Sequence, residues 1–296
     1  MTASEPTFRI EESAPESVDG DTHPLLAALY QGRVFKLPPT MESLQLVAGA
    51  HAILEHELGS EMRAAHARIG EDAHFQAIGR ARRIFYLERA FQRHAMRITQ
   101  SLGLDIARIA FDPIRIRVIQ SGGHANPRAQ AVYYPHRDVW YGHPASLITV
   151  WIPLDDLPED ETFVFHPAKW SEPVPNDSEI FDYDEWVSKG WGLKIGWQNK
   201  NDGLEARYPG VTEAMDPGPA VGFSCARGET LLFSGQHFHR TLPQTKGRTR
   251  LSLDFRIVQI DDVEAGHGAP NVDNRSRGSA LVDYARGIDL VEDLDD

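Results

Sequence analysis

The sequence predicts a mainly β fold, an antiparallel barrel or jelly roll with helices packed on its outside, and three observations predict it. Apolar residues recur at helical spacing in the first part of the chain. From about Asp105 the period drops to two, and short alternating segments follow one another. Clusters of Gly, Pro, Asn and Asp separate those segments.

Taken in order, residues 1–22 are rich in Glu, Ser, Pro, Thr and Asp and carry too little apolar surface to offset the entropy of ordering, so they are expected to form a flexible tail. Residues 23–104 are expected to be helical. Thr40 caps a segment in which Leu44, Val47, Leu54 and Leu58 recur at helical intervals. From Asp72 to Leu102 a single stripe runs through Ile84, Leu87, Phe91, Ala95, Ile98 and Leu102, with Gly103 as its stop. Residues 105–262 form the expected barrel. Ile114–Val118 alternates Ile and Val with Arg as a half-buried strand, and further strands are expected at Leu147–Leu154, Thr162–His166, Val221–Cys225, Glu229–Ser234 and Thr249–Val258. Residues 167–219 interrupt the rhythm with Trp170, Trp186, Trp191 and Trp197 among turn residues, and are expected to be a lid-like insertion at the barrel mouth. A polar extension, 263–296, closes one large domain and either drapes over the core or frays.

Composition excludes several classes. The chain has 296 residues, 41% hydrophobic and 25% charged, with a formal net charge of −13. That charge repels phosphate backbones and anionic lipid, so neither nucleic acid nor a membrane is expected as a partner; a small molecule is, mildly favoured to be neutral or cationic. Cys225 is the only cysteine, so no intramolecular disulfide can form, and no apolar leader follows Met1. A cytoplasmic setting is expected. The sequence carries no signal for an oligomeric state. Phosphate-cradling and dinucleotide glycine motifs are absent, as are His-Glu-x-x-His and Gly-x-Ser-x-Gly.

The chemistry that remains belongs to histidine and carboxylate. In His136-Arg137-Asp138, alternation of an extended chain turns His136 and Asp138 to one side, where both can reach one ion. Alone, such a triplet is also what a surface salt bridge or turn looks like. A second run, Gly228 to His239, is an apolar strand that leads into His237 and His239. Eleven positions after His239 comes Arg250, in a strand whose Arg250, Ser252 and Asp254 face one way and whose Leu251, Leu253 and Phe255 face the other. An arginine in an apolar interior needs an anion, and its fork matches a carboxylate.

On these motifs the chain resembles the iron(II) and 2-oxoglutarate-dependent dioxygenases, and among them the phytanoyl-CoA dioxygenase-like superfamily. His136 and Asp138 fall on that group's His-x-Asp, Gly228 to Phe233 on its Gly-Asp-φ-φ-φ-Phe strand with Glu229 in place of Asp, His239 on its distal histidine, and Arg250 on its arginine. Gln244 stands where members often carry Asn, and Phe165-His166-Pro167-Ala168 where they carry Pro-Gly-Ser-His. The resemblance implies a double-stranded β-helix (jelly-roll or cupin-type) barrel. It implies Fe(II) held by His136, Asp138 and His239, with 2-oxoglutarate anchored by Arg250 and helped by Ser252, and O2 as oxidant. It further implies hydroxylation of an unactivated carbon of a small metabolite, an amino-acid derivative or natural-product intermediate, with release of succinate and CO2. The presence of Asp138 argues against the halogenating branch. Trp140, Tyr141, Trp151 and His237 are candidate pocket residues, His237 also being the rival to His239 as a ligand, while His143 and His166 are expected as wall or surface histidines. Two other classes stay open: a non-redox cupin-type metalloenzyme, and a barrel binding protein without activity.

Overall fold

The computed structural model describes residues 8–15, 23–126, 130–189 and 208–292. The strands are β1 (Ile10–Glu11), β2 (Val34–Leu37), β3 (Ile109–Phe111), β4 (Arg115–Ile119), β5 (Ile148–Pro153), β6 (Phe163–Phe165), β7 (Thr230–Ser234), β8 (His239–Thr241), β9 (Arg250–Gln259) and β10 (Ala285–Arg286). The helices are α1 (Pro24–Tyr30), α2 (Met41–Leu58), α3 (Ala65–Ile69), α4 (Glu71–Leu87), α5 (Arg89–Ser101), α6 (Tyr183–Ser188), α7 (Ile260–Ala265) and α8 (Gly287–Glu292).

The helical part starts from a cap. Thr40 accepts from the Ser43 amide at 3.1 Å and Ser43 returns the bond at 3.0 Å, a reciprocal arrangement that satisfies two amides at the start of α2. Ser43 also donates to the Gly228 carbonyl, tying α2 to the turn before β7. On α2 the buried stripe is Leu46, Val47, Ala50, Leu54 and Leu58, whereas Leu44 is exposed. The single helix expected from Asp72 to Leu102 is two helices, because Glu88 is extended between α4 and α5. In one continuous helix Phe85 and Phe91 would point about 120° apart around the axis. The break brings their rings edge to face at 4.9 Å in the core and leaves Leu87, predicted to be on the stripe, exposed.

β9 is the spine of the larger sheet, whose order is β1-β2-β7-β5-β9-β3-β10 with β4 also paired to β9. β5 runs along one side of β9, from Ile148 opposite Ile257 to Pro153 opposite Ser252; β4 runs along the other, from Arg115 opposite Asp254 to Ile119 opposite Arg250. Only β1 and β2 are parallel, so the sheet is mixed. β6 and β8 form a separate two-stranded sheet. Among the described residues the strands do not close into a barrel, and the long helices make the molecule mixed α/β rather than mainly β.

Alternation gives the larger sheet two faces. Ile116, Val150, Leu232, Leu251, Leu253 and Phe255 belong to one apolar cluster with the buried residues of α2, α4 and α5. The opposite face carries Arg115, Arg117, Thr149, Trp151, Arg250, Ser252, Asp254 and Arg256. The Ile–Arg alternation in β4, read as half-buried, is buried at Arg115, Ile116 and Ile119 and partly exposed at Arg117 and Val118.

Three regions differ from the simplest expectation. Val221–Cys225 makes isolated bridges to two partners, Val221 to Phe165 and Cys225 to Leu157, rather than a continuous strand. In the segment expected to be a tail, Ile10–Glu11 pair with Val34–Phe35, and the Phe8 ring lies 6.0 Å from that of Phe165. In the C-terminal extension Ala285–Arg286 pair with β3, and Leu290 joins the main core. Of the lid expected at 167–219, residues 190–207, with Trp191 and Trp197, lie outside the described residues; the rest holds short 3-10 turns, α6 and a bridge between Asn176 and Val211. No described helix is long and apolar enough to cross a membrane.

Candidate metal centre

The two histidines of the candidate centre are brought together by backbone pairing. His136 and His239 form an antiparallel bridge in which each amide donates to the other's carbonyl, at 3.0 and 3.1 Å, so their side chains stand directly opposite one another. Two residues on, Asp138 opens a short 3-10 turn, and its side chain returns to the His136 side. Close approach of the two segments depends on Gly235. A Cβ there would clash with Leu147 Cδ2 and meet Asp138 Cβ at 3.3 Å, and the Gly235 carbonyl accepts from the Val139 amide.

One ligand-type atom from each of His136, Asp138 and His239 lies within 4.8 Å of the others. Both imidazoles are oriented in the same way, with Nδ1 donating to a backbone carbonyl: His136 to Tyr134 and His239 to His237, each at 2.9 Å. That bond selects the tautomer and leaves each Nε2 with a free lone pair. Asp138 divides its oxygens. Oδ2 accepts from Thr149 Oγ1 at 2.6 Å, while Oδ1 lies 3.5 Å from His136 Nε2. Burial disfavours the Asp138 charge, but the His136 hydrogen bond and the charges of Arg256 and the two histidines outweigh it and hold the carboxyl well below its ordinary range. Burial, helped by His136, lowers His239 to about 4. A buried carboxylate beside two imidazoles that each present Nε2 is a donor set for a divalent transition metal with open positions.

Arg250 lies on the same face, with 3% of its surface exposed. Its Nη1 donates to the Thr162 carbonyl at 2.9 Å, its Nε is buried without a partner, and its guanidinium sits 5.8 Å from the Trp151 ring. No carboxylate among the described residues pairs with it, and burial pulls its ionisation down to about 10. The neighbouring arginines differ. Arg248 pairs with Glu161, and Arg256 lies between Asp112 at 3.5 Å and Asp254 at 3.8 Å. Ser252 accepts from the Trp151 indole at 3.0 Å, which leaves its own hydroxyl proton to donate.

The other predicted residues separate. Tyr141 stands edge-on to His136 at 5.7 Å. Trp151 packs edge-on to Phe163 and Phe223, beside Arg250. Trp140 points away from the ligands: it is fully buried, and its indole donates to Asp273 at 2.8 Å. His237 was expected to share a strand face with His239, but residues 235–238 form a turn, and its ring lies 4.6 Å from that of Trp170 in an aromatic box with Phe8 and Phe165. There burial lowers it to about 3. His143 meets the Tyr284 hydroxyl at 3.1 Å, and His166 meets the Gly218 carbonyl at 3.4 Å.

Two supports went unread in the sequence. Thr149 is one; its hydrogen bond to Asp138 crosses strands and leaves no local signal. Arg137 is the other. Fully buried between the two ligands, it donates to Asp273 and to the carbonyls of Gln236, Lys169 and Glu172, clamping the ligand segment to the C-terminal extension and the insertion. The alternation that turns His136 and Asp138 one way turns Arg137 the other, and that much was available to find it.

No family model and no curated protein matches the chain. Solved structures are similar at a distance. EvdO2 from Micromonospora carbonacea var. aurantiaca is 16% identical, with a TM-score of 0.38 over 60% of this chain and 65% of that one, just under two thirds of its length. EvdO2 complexed with 2-oxoglutarate is 14% identical, with a TM-score of 0.43 over 82% and 94%. The epimerase SnoN in complex with Fe3+, alpha ketoglutarate and nogalamycin RO is 15% identical, with a TM-score of 0.40 over 79% and 82%. Likenesses this remote carry no chemistry from one chain to another, so function rests on the side chains of the site itself.

Proposed function

We propose that this chain is a non-haem iron(II) enzyme that uses 2-oxoglutarate and O2 to hydroxylate a carbon of a small molecule. His136, Asp138 and His239 hold the iron, and Arg250, with Ser252, holds the distal carboxylate of 2-oxoglutarate. The observation that carries this reading is the pairing of a compact two-histidine, one-carboxylate set with a buried arginine that has no acid partner on the same face. The bland alternative for Arg250, a structural ion pair, loses support because Asp254 is engaged by Arg117 and Arg256. At the level of motifs the reading extends to the phytanoyl-CoA dioxygenase-like superfamily, with no support for an acyl-CoA substrate.

When bound, iron with 2-oxoglutarate supplies the oxidation of a C–H bond by O2, with release of succinate and CO2. The chain's own residues position and shield. Tyr134 and His237 carbonyls hold the imidazoles in the ligating tautomer, Thr149 turns one Asp138 oxygen away from the metal side, and Trp151 with Phe163 walls Arg250 off from water. Water exclusion strengthens the contact between guanidinium and carboxylate.

Anaerobic titration is expected to give about one Fe(II) per chain, and added 2-oxoglutarate is expected to produce a charge-transfer absorption followed, in air, by succinate. Ala at His136, Asp138 or His239 abolishes iron binding and turnover, while His237→Ala keeps the metal. Full turnover in Asp138→Ala, or greater iron loss in His237→Ala than in His239→Ala, overturns the ligand assignment. Tight metal binding without succinate under any condition points instead to the non-redox metalloenzyme.

A further inference from the structure

The inner face of the larger sheet holds more cations than the proposed chemistry uses. Arg115 pairs with Asp112, and Arg256 lies between Asp112 and Asp254. Arg117 donates to Asp254 at 2.6 Å. The third carboxylate of this neighbourhood, Asp283, accepts from the hydroxyls of Tyr86 and Tyr183 at 2.9 and 2.7 Å. Arg82 comes in from α4, which packs on β4, and its charge is felt together with those of Arg115 and Arg117. It has no carboxylate partner among the described residues, and its buried Nε has no hydrogen bond. Four guanidinium groups therefore meet these three carboxylates and Asp138, which Arg256 also reaches but which belongs to the candidate metal set, so no carboxylate is left for Arg82. Arg82 is half-buried, and a guanidinium whose Nε is hidden without a partner is costly; burial first, then the charges of Arg117 and Arg115, pulls it to about 10.

The surplus charge faces the metal ligands along an aromatic wall. Arg117 keeps 37% of its side chain exposed, and its field reaches both Tyr141 and His239. Tyr208 interacts with both Arg82 and Arg117, and its ring lies 6.3 Å from that of Tyr141. Tyr141 in turn touches Phe181 edge-on at 5.4 Å and stands 5.7 Å from His136. Tyr208 and Tyr141 thus form a continuous line of neighbours from the arginines to His136.

We propose that Arg82 and Arg117 bind an anionic group, carboxylate or phosphate, of a ring-bearing small-molecule substrate, whose body lies along Tyr208 and Tyr141 and whose far end meets the metal ligands. The inference rests on the iron and 2-oxoglutarate reading of the adjoining centre. It reverses what the net charge of −13 suggested, a neutral or cationic substrate. Screening makes the local charges decisive, because fields from the remote acidic surface fade over about 8–10 Å.

The test uses the full chain with Fe(II) and saturating 2-oxoglutarate under anaerobic conditions, so that Arg250 is already occupied. Phenylacetate, phenyl phosphate and the uncharged phenylacetamide are titrated, following both the charge-transfer absorption and the thermal unfolding temperature. At least one acid is expected to perturb both signals while the amide does not, and the tighter of the two acids distinguishes carboxylate from phosphate. Arg82→Gln weakens that acid about tenfold or more, and Arg82→Lys restores part of the loss. Equal binding of amide and acids, binding by neither acid, or an undiminished affinity in Arg82→Gln overturns the proposal. The absorption that 2-oxoglutarate produces before any probe is added reports on the iron reading separately. If it is missing in the unsubstituted protein, that reading fails, and the thermal shift still decides the anion site.

Discussion

The two faces of β9 are equally buried and do different work. Leu251, Leu253, Phe255 and Ile257 point to the helices, and Arg250, Ser252, Asp254 and Arg256 point to the side of the proposed metal ligands; every one of the eight is buried. On the first face burial is itself the source of stability, because apolar surface leaves water at about 25 cal/mol per Å2. On the second, each polar group needs a partner. Asp254 and Arg256 have each other and their neighbours, Ser252 has Trp151, and Arg250 has a single carbonyl. Depth alone does not distinguish core from site. On this strand the lack of a carboxylate partner among the described residues sets Arg250 apart.

The sharpest way to break this contrast is to cut into the apolar face. Phe255→Ala is expected to destabilise the fold by about 3–5 kcal/mol through the cavity it leaves, read as a lower midpoint in urea. The protein that remains folded should use 2-oxoglutarate with a nearly unchanged Michaelis constant. A variant with normal stability and impaired 2-oxoglutarate use would show that the two faces are not separable.

A smaller effect is expected at Thr149, which sits opposite Arg256 on the polar face. Thr149→Val keeps the shape and removes the hydroxyl that holds Asp138 Oδ2. Iron affinity should fall about 10- to 100-fold, as is typical for the loss of an outer-shell partner. Unchanged affinity in competition against a chelator would mean that the carboxylate is oriented by other means.

The smallest effect sharpens the assignment among the arginines. Arg250→Lys keeps the charge and loses the fork, so the Michaelis constant for 2-oxoglutarate is expected to rise about tenfold while iron affinity stays near its starting value. Arg248→Lys, at a residue already committed to Glu161, should leave that constant alone. An unchanged constant in the Arg250 variant would refute the co-substrate role.

Much of this was legible locally. Thr40 as a cap, the strands around 147–154, 229–234 and 249–258, and the facing of Arg250 away from Leu251 all follow from side-chain period and capping chemistry, which act over a few residues. The same period brought His136 and Asp138 to one side. Other features depended on packing between distant segments. The break at Glu88 accompanies the packing of Phe85 against Phe91, and helical spacing alone cannot reveal it. Trp140 left the ligand side because Asp273, more than a hundred residues away, accepts its indole proton.

What the sequence by itself determined, then, is the sites' raw material: which strands alternate, which residues can ligate, and which arginine follows His239 at the right interval. Only the tertiary structure decided between His237 and His239 as neighbour of Asp138, because both are two-residue alternates until a turn at 235–238 sends one into an aromatic box. It alone revealed that Arg82 on α4 comes to the charged side of β4 without an acid partner. Periodicity is a property of the local backbone, whereas charge balance in a buried site is a sum over segments that meet only when the chain has folded.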